Sequence, residues 1–332
     1  MTSSTRRTTL ITRRAALAGA TALIAAAGAR AQSPPKMLRV GYVTLQPRGD
    51  AHQALVKRLA ELGYQDGVNY AFEFLHIGSI DEYPAGYRAM AARGCNILVA
   101  SGNEAALRAA ADAADKDTSV VFFAFDFDPF AKGFVTSLAK PGGNLTGIFV
   151  RQIELATKRV ELTRQALLEA RALWLLWDRF SRDQADAAAT AARTLGFEPH
   201  LIEASSEPPN YAAAFAAVAE APGAPLLIPA SPRFYRDRAE LIPLLLERRI
   251  PAVSAFPEHG EAGALLSYGV TVLAVLRDLA IYIDRIAKGA KPGDIPIEQP
   301  THFDLTINLK TAKALNLEIS PILIARADEV IE

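Results

Sequence analysis

From Met37 onward the chain alternates two kinds of segment. Short apolar runs rich in β-branched and aromatic residues, "LRVGYVTL", "NYAFEFLHI", "NILVASG" and "SVVFFAF", read as buried strands. Between them lie stretches with apolar residues at helical spacing. "DAHQALVKRLAELGY" carries Ala54, Leu55, Leu59 and Leu62 before Gly63 ends it. "DEYPAGYRAMAARGC", with Pro84 in its first turn, and "NEAALRAAADAADK" follow the same pattern. Strand and helix in alternation, joined by short connections, predict a mainly parallel sheet wrapped by helices.

The alternation stops at "DFDPFAKGFVTSLAKPGGNLTGIFV", which is rich in glycine and proline and has little period. It then resumes. "ELATKRVELTRQAL", "SRDQADAAATAARTLGF", "NYAAAFAAVAEA" and "FYRDRAELIPLLLERR" predict helices; "ALWLLWD", "EPHLIEA", "APLLIPA" and "IPAVSAF" predict strands. The pattern predicts a second α/β lobe. Residues 141–151 read as a crossing between lobes, with a plain turn at "PGGN" as the alternative. The length suits two domains, and a composition that is 50% hydrophobic and 22% charged excludes disorder.

The first residues follow another logic. Arg6, Arg7, Arg13 and Arg14 precede an apolar stretch from Ala15 to Gly28, and Ala29-Arg30-Ala31 is a small-x-small cleavage signal. That is the order of an export leader, and the Arg13-Arg14 pair resembles a twin-arginine signal. Cleavage is expected between Ala31 and Gln32. The whole chain has 36 basic and 36 acidic side chains; the leader takes five arginines and no acid, so the mature chain is net negative by five. This argues against nucleic acid or an anionic membrane as partner. Cys95 is the only cysteine, so no internal disulfide forms and no lipid-attachment cysteine follows the leader. The expected location is the periplasm or beyond, with no membrane insertion after cleavage.

In open parallel sheets ligands bind beyond the carboxyl ends of strands. The first such loop holds Thr44 and Gln46, with Arg48 beyond. The next is Ser101-Gly102-Asn103, which opens into a helix whose free N–H groups suit a carboxylate; Ser101 also reads as a simple N-cap. After the fourth strand come Phe125, Asp126 and Asp128; the two acids read as caps of the next turn or as ligand contacts. In the second lobe Ser231, Arg233, Phe234 and Phe256 hold the corresponding positions. This mixture of polar and aromatic residues predicts a small organic ligand. There is no G-x-G-x-x-G after the first strand, no P-loop and no G-x-S-x-G, and the five histidines are isolated. No catalytic residue, metal or cofactor is predicted.

The stretches "LAELGYQDGVNYAFEF", "DPFAKGFVTSLAKPGGNLTG", "KRVELTRQAL", "EAGALLSYG" and "YIDRIAKGAKPGDIPIEQPTHFDLTINLKTAKALNLEISPILIARADEVIE" cover nearly the whole mature chain. In them the chain resembles the tryptophan-binding-like substrate-binding proteins of ABC transporters. The resemblance implies a type I periplasmic binding protein: two Rossmann-like α/β lobes with parallel sheets, joined by a multi-strand hinge. It places residues 37–147 and about 270–300 in lobe 1, and 148–269 and about 301–332 in lobe 2. It implies crossings near Thr146–Arg151, Ser267–Thr271 and Gln299–Asp304, with Gly147 and Gly269 giving hinge freedom. "EAGALLSYG" would end the second lobe's last strand, with Tyr268 between the lobes offering its ring and hydroxyl to the ligand or merely packing the hinge. The implied partners are an inner-membrane permease and its separate ATPase; a role as ligand-sensing partner of a receptor is the alternative. Many relatives carry an acid where this chain has Ser231 and an arginine where it has Pro257. That puts an amino-acid ligand in doubt and leaves Arg233 and Arg48 as replacement cations.

Overall fold

The computed structural model of the protein describes residues 37–204, 206 and 209–332; the expected leader, residues 1–31, lies outside them. Strands β1 (Leu38–Thr44), β2 (Tyr70–His76), β3 (Ile97–Gly102), β4 (Ser119–Ala124) and β5 (Leu145–Phe149) form one sheet. Its order is β2-β1-β3-β4-β5, and every pair is parallel. Strands β6 (Ala172–Trp177), β7 (Glu198–Glu203), β8 (Leu226–Ile228), β9 (Ala252–Ser254), β10 (Leu266–Gly269), β11 (Asp304–Asn308) and β12 (Glu329–Ile331) form the other. That order is β12-β11-β10-β9-β8-β6-β7, parallel except for the antiparallel β10–β11 pair.

Helices α1 (Asp50–Glu61), α2 (Tyr83–Ala92) and α3 (Glu104–Ala113) cover the first sheet. On the second lie α4 (Gln152–Ala166), α5 (Arg182–Thr194), α6 (Tyr211–Ala214), α7 (Ala216–Ala219), α8 (Pro232–Arg236), α9 (Arg238–Glu247) and α10 (Pro257–Glu261). The next helix, α11 (Val272–Ala287), returns to the first sheet and packs along α1; α12 (Leu309–Leu315) and α13 (Pro321–Ile324) complete the second. The reason α11 packs there is legible in its sequence. Val272, Val275, Leu276, Leu279, Ala280 and Ile283 recur at three- and four-residue steps and are all buried. Each buried leucine contributes roughly 1.5–3 kcal/mol. Helix α1 answers with Leu55 and Leu59, both fully buried.

The chain passes between the sheets three times. After β5, Val150 and Arg151 lead into α4; after β10, Val270 and Thr271 lead into α11. The third passage starts beside β5, where Phe149 N–H donates to the Glu298 carbonyl and Glu298 N–H to the Gly147 carbonyl, and continues to β11. No helix among the described residues is long and apolar enough to cross a membrane.

Three expectations need correction. Residues 141–151 are not a bare crossing, because Leu145–Phe149 is fully buried and forms the edge strand of the first sheet. Leu266–Gly269 is not the second lobe's last strand, since β11 and β12 extend the sheet beyond it. The helices expected over "NYAAAFAAVAEA" and "FYRDRAELIPLLLERR" are each broken, at Phe215 and at Asp237.

Candidate functional site

The carboxyl ends of β1, β3 and β4 face those of β8 and β9 across a narrow cleft. Gly102 ends β3 with φ +107, a left-handed conformation that favours glycine. A Cβ there would also lie 3.2 Å from Pro232 Cγ in the opposite lobe. The Gln46 amide reaches over and donates to the Pro232 carbonyl at 3.0 Å. Phe125 meets Phe256 edge to face at 5.9 Å, and Tyr235 meets Phe256 at 5.1 Å. Tyr42, Phe125, Tyr235 and Phe256 belong to one apolar cluster drawn from both lobes. Glu258 of the second lobe accepts the Val272 N–H at 2.8 Å and so caps α11 of the first. The lobes are in contact, and the cleft is closed.

Among the described residues, two cavities along it stand out. One, of about 30 Å³, is walled by Tyr42, Gln46, Ser101, Gly102, Phe125 and Tyr235 among others. With the lobes this close it has room for one or two waters. Thr44 sits at its edge, with its hydroxyl accepting the Gln46 N–H at 3.0 Å. Burial raises the Tyr42 phenol, against hydrogen bonds to Ser101 and Thr44. Asn103 caps α3 by accepting the Ala106 N–H at 2.9 Å. The carboxyl end of β3 therefore gathers hydroxyls and a helix start.

The other cavity, of about 360 Å³, lies between the ends of β4 and β5 and the starts of α4 and α5. Asp126, Asp128 and Asp183 contribute to its wall. The two acids singled out in the sequence part company here. Asp128 is exposed and accepts the N–H groups of Phe130 and Ala131, at 2.8 and 3.1 Å, as a turn cap. Asp126 is buried, and neither of its carboxylate oxygens has a partner among the described residues.

Other sequence candidates lie away from the cleft cavities. Ser231 is fully buried; it caps α8 and donates to Asp178 at 2.5 Å. Arg233 turns into the second lobe, donating to the Ala204 and Ser206 carbonyls at 3.2 and 2.8 Å. Phe234 is a fully buried core residue against Tyr211. Helical phase explains the exchange: Pro232 and Tyr235 are three apart and share the cleft face, while Phe234 points about a quarter-turn away. Arg48 is exposed and lies over the Phe74 ring at 5.0 Å. Tyr268 packs against Phe303 of the third passage at 5.9 Å. Its carbonyl accepts from the buried guanidinium of Arg159 at 2.7 Å, and Arg159 also holds Gln152 at 2.9 Å. Gly147 and Gly269 stand inside strands without positive φ; a Cβ would strike the Phe122 carbonyl in one case and the Ala255 carbonyl in the other. Smallness for close backbone approach, rather than conformational freedom, is what those two positions use.

Sequence reasoning missed Tyr42 and Tyr235. Tyr42 reads as core inside an apolar strand, and only its position two residues before the strand's end marks it. The buried Ser254 hydroxyl and His259 Nδ1, 2.7 Å apart, form a pair inside the second lobe, where both residues are 0% exposed.

Two α/β lobes hinged by three chain passages around a polar-and-aromatic cleft define a type I periplasmic binding protein. The model of the ABC transporter substrate binding protein family matches residues 46–331, and the chain belongs to that family. A curated tyrosine-binding protein of Clostridioides difficile (strain R20291) is 22% identical over 273 residues, covering 81% of this chain and 77% of that one. Among solved structures, an ABC domain in complex with L-Trp from Streptococcus pneumonia is 21% identical with a TM-score of 0.78, over 89% of this chain and 100% of that one. A ligand-free, open substrate-binding protein with adhesive properties from Clostridium difficile is 20% identical with a TM-score of 0.64, over 89% and 99%. This is a family of substrate-binding proteins, not of enzymes.

Proposed function

We propose that the protein is the periplasmic solute-capturing component of an ABC importer, working with an inner-membrane permease and its ATPase. Export by the leader ending at Ala31 belongs to this reading. The observation that carries it is the cleft: residues of both lobes converge on one aromatic cluster, and only three short passages join the lobes. Rotation about Val150–Arg151, Val270–Thr271 and Gln299–Phe303 opens the cleft to solvent and closes it on a ligand. The higher TM-score to the L-Trp complex than to the ligand-free open structure supports reading the conformation here as the closed one.

The ligand in this reading is an aromatic amino acid or a related aromatic or branched carboxylate, in keeping with the tryptophan and tyrosine bound by relatives. Its carboxylate meets the hydroxyl of Ser101 and the N-terminus of α3 at Asn103; its body lies against Phe125, Tyr235 and Phe256. Burying such a ring contributes roughly 1.5–3 kcal/mol, and each hydrogen bond to the carboxylate roughly as much again. Calorimetry with aromatic and branched carboxylates, their amino acids and their amides tests the reading. Micromolar binding of an acid, lost in its amide and weakened by Ser101→Ala, is the expected result. Failure of every compound to bind sinks it.

A further inference from the structure

The cavity between the ends of β4 and β5 and the starts of α4 and α5 is acidic. Its wall carries Asp126, Asp128, Glu154 and Asp183. The one cation in that wall among the described residues, Arg151, is bound to Glu154 at 3.2 Å. Asp126 stands apart from the other three. It is 7% exposed, and neither carboxylate oxygen accepts a hydrogen bond. The charged groups that act on it are the carboxylates of Asp178, Asp183 and Glu104. Nearby cations are engaged elsewhere: Lys132 with Glu104 at 3.0 Å, and Arg233 with the Ala204 and Ser206 carbonyls and, at 3.9 Å, with Asp178. Burial and these neighbours hold the carboxyl well above its ordinary range.

A buried carboxylate among other carboxylates is costly unless a proton or a cation joins it. The cavity beside it is also bounded by Phe127, Phe130 and Phe149, so an organic cation suits it better than a bare ion. Asp178 is not free to help, since it accepts from Ser181 and Ser231. Resting on the ligand-binding reading above, we propose that Asp126 is the cation subsite of the cleft, receiving the protonated primary amine of the ligand with Asp183 close by on the cavity wall. Asp126 follows β4 and Ser101 lies in β3, its paired neighbour. Both residues stand at the carboxyl ends of neighbouring strands, and the ligand in this proposal is an amine-bearing acid rather than a simple carboxylate.

The test uses the full-length protein, with thermal shift and calorimetry. The probes are L-tryptophan, L-tyrosine, L-phenylalanine and L-leucine, and their deaminated counterparts 3-indolepropionate, 3-(4-hydroxyphenyl)propionate, 3-phenylpropionate and 4-methylpentanoate. The wild type should bind at least one amino acid about tenfold or more tightly than its deaminated counterpart, the size expected for a charge-assisted hydrogen bond. Asp126→Asn should erase that preference while leaving the unliganded melting temperature equal or higher. Asp183→Asn, at an exposed position, should reduce the preference only in part. In buffers of different ionisation enthalpy the wild type should release a proton on binding the amino acid, and Asp126→Asn should not. Deaminated acids binding the wild type as tightly as amino acids, or an undiminished preference in Asp126→Asn, overturns the cation subsite and leaves the ligand-binding reading standing. No binding by any probe sinks both.

Discussion

Gln46 of the first lobe donates its side-chain amide to the carbonyl of Pro232 in the second, at 3.0 Å. Between the same two loops, Gly102 leaves just enough room for the Pro232 ring. These contacts exist only while the cleft is shut. A hydrogen bond of this kind contributes about 0.5–1.5 kcal/mol, so Gln46→Ala should weaken ligand affinity by roughly two- to tenfold. Gly102→Ala should weaken it more, because a Cβ meets both Pro232 and an unfavourable φ. Small-angle scattering should show a larger radius of gyration for both variants at a ligand concentration that closes the wild type. A closed wild-type-like radius in Gly102→Ala counts against the contact as a closure element.

Tyr235 and Phe234 are neighbours in sequence with opposite roles. Tyr235 joins the cluster that spans the lobes; Phe234 is sealed in the second lobe with Tyr211. Phe234→Ala should therefore cost about 3–5 kcal/mol of stability in denaturant unfolding. Tyr235→Ala should lower affinity at least severalfold in calorimetry and cost less in stability, since the cleft can admit water where it stood. Equal losses of stability in the two variants would falsify this division of labour.

That pair also shows where the sequence is informative and where it is not. The two lobes, their strand-helix alternation and the loops that meet at the cleft are all readable from period and punctuation. The strand Leu145–Phe149 is not, because five residues between Asn144 and Val150 give too short a run to show a period. Within the loops, sequence names the neighbourhood but not the phase. Ser231-Pro232 reads as a loop, so nothing fixes which of Arg233, Phe234 and Tyr235 faces the cleft until Ser231 is seen to cap a helix. Asp126 and Asp128 look alike in sequence. Only their surroundings separate a turn cap with two donors from a carboxylate with none. Tyr268 stands out beside a glycine, yet its ring is spent on Phe303.

Export gives a prediction independent of the cleft. Mature protein recovered from the periplasm should begin at Gln32, as N-terminal sequencing would show. A chain beginning at Thr2 would remove the basis for a periplasmic role. Replacing Arg13 and Arg14 by lysines should block export if the twin-arginine route carries it, and slow it little if the general route does.

The buried His259 gives the protein a defined response to acid. Its ring is 0% exposed, Nδ1 pairs with the Ser254 hydroxyl at 2.7 Å, and Ser254 in turn accepts the Phe256 N–H at 3.1 Å. Burial, with a smaller contribution from Arg238, pushes the imidazole down to about 3 from an ordinary 6.5. The folded state therefore holds the ring neutral, while the unfolded chain takes up a proton as pH falls below 6.5. Stability from this residue is fully present above pH 6.5 and declines down to about pH 3. The slope approaches about 1.4 kcal/mol per pH unit, so roughly 2 kcal/mol is lost by pH 5. Asp126 and Glu258, whose carboxyls are raised by burial, act in the opposite direction and favour the folded state at lower pH. A comparison with His259→Phe isolates the histidine. The wild type should be the more stable protein at pH 7.5, and its advantage in urea unfolding should shrink as pH is lowered to 5. A difference that stays constant across that range would show that His259 is not the group that titrates.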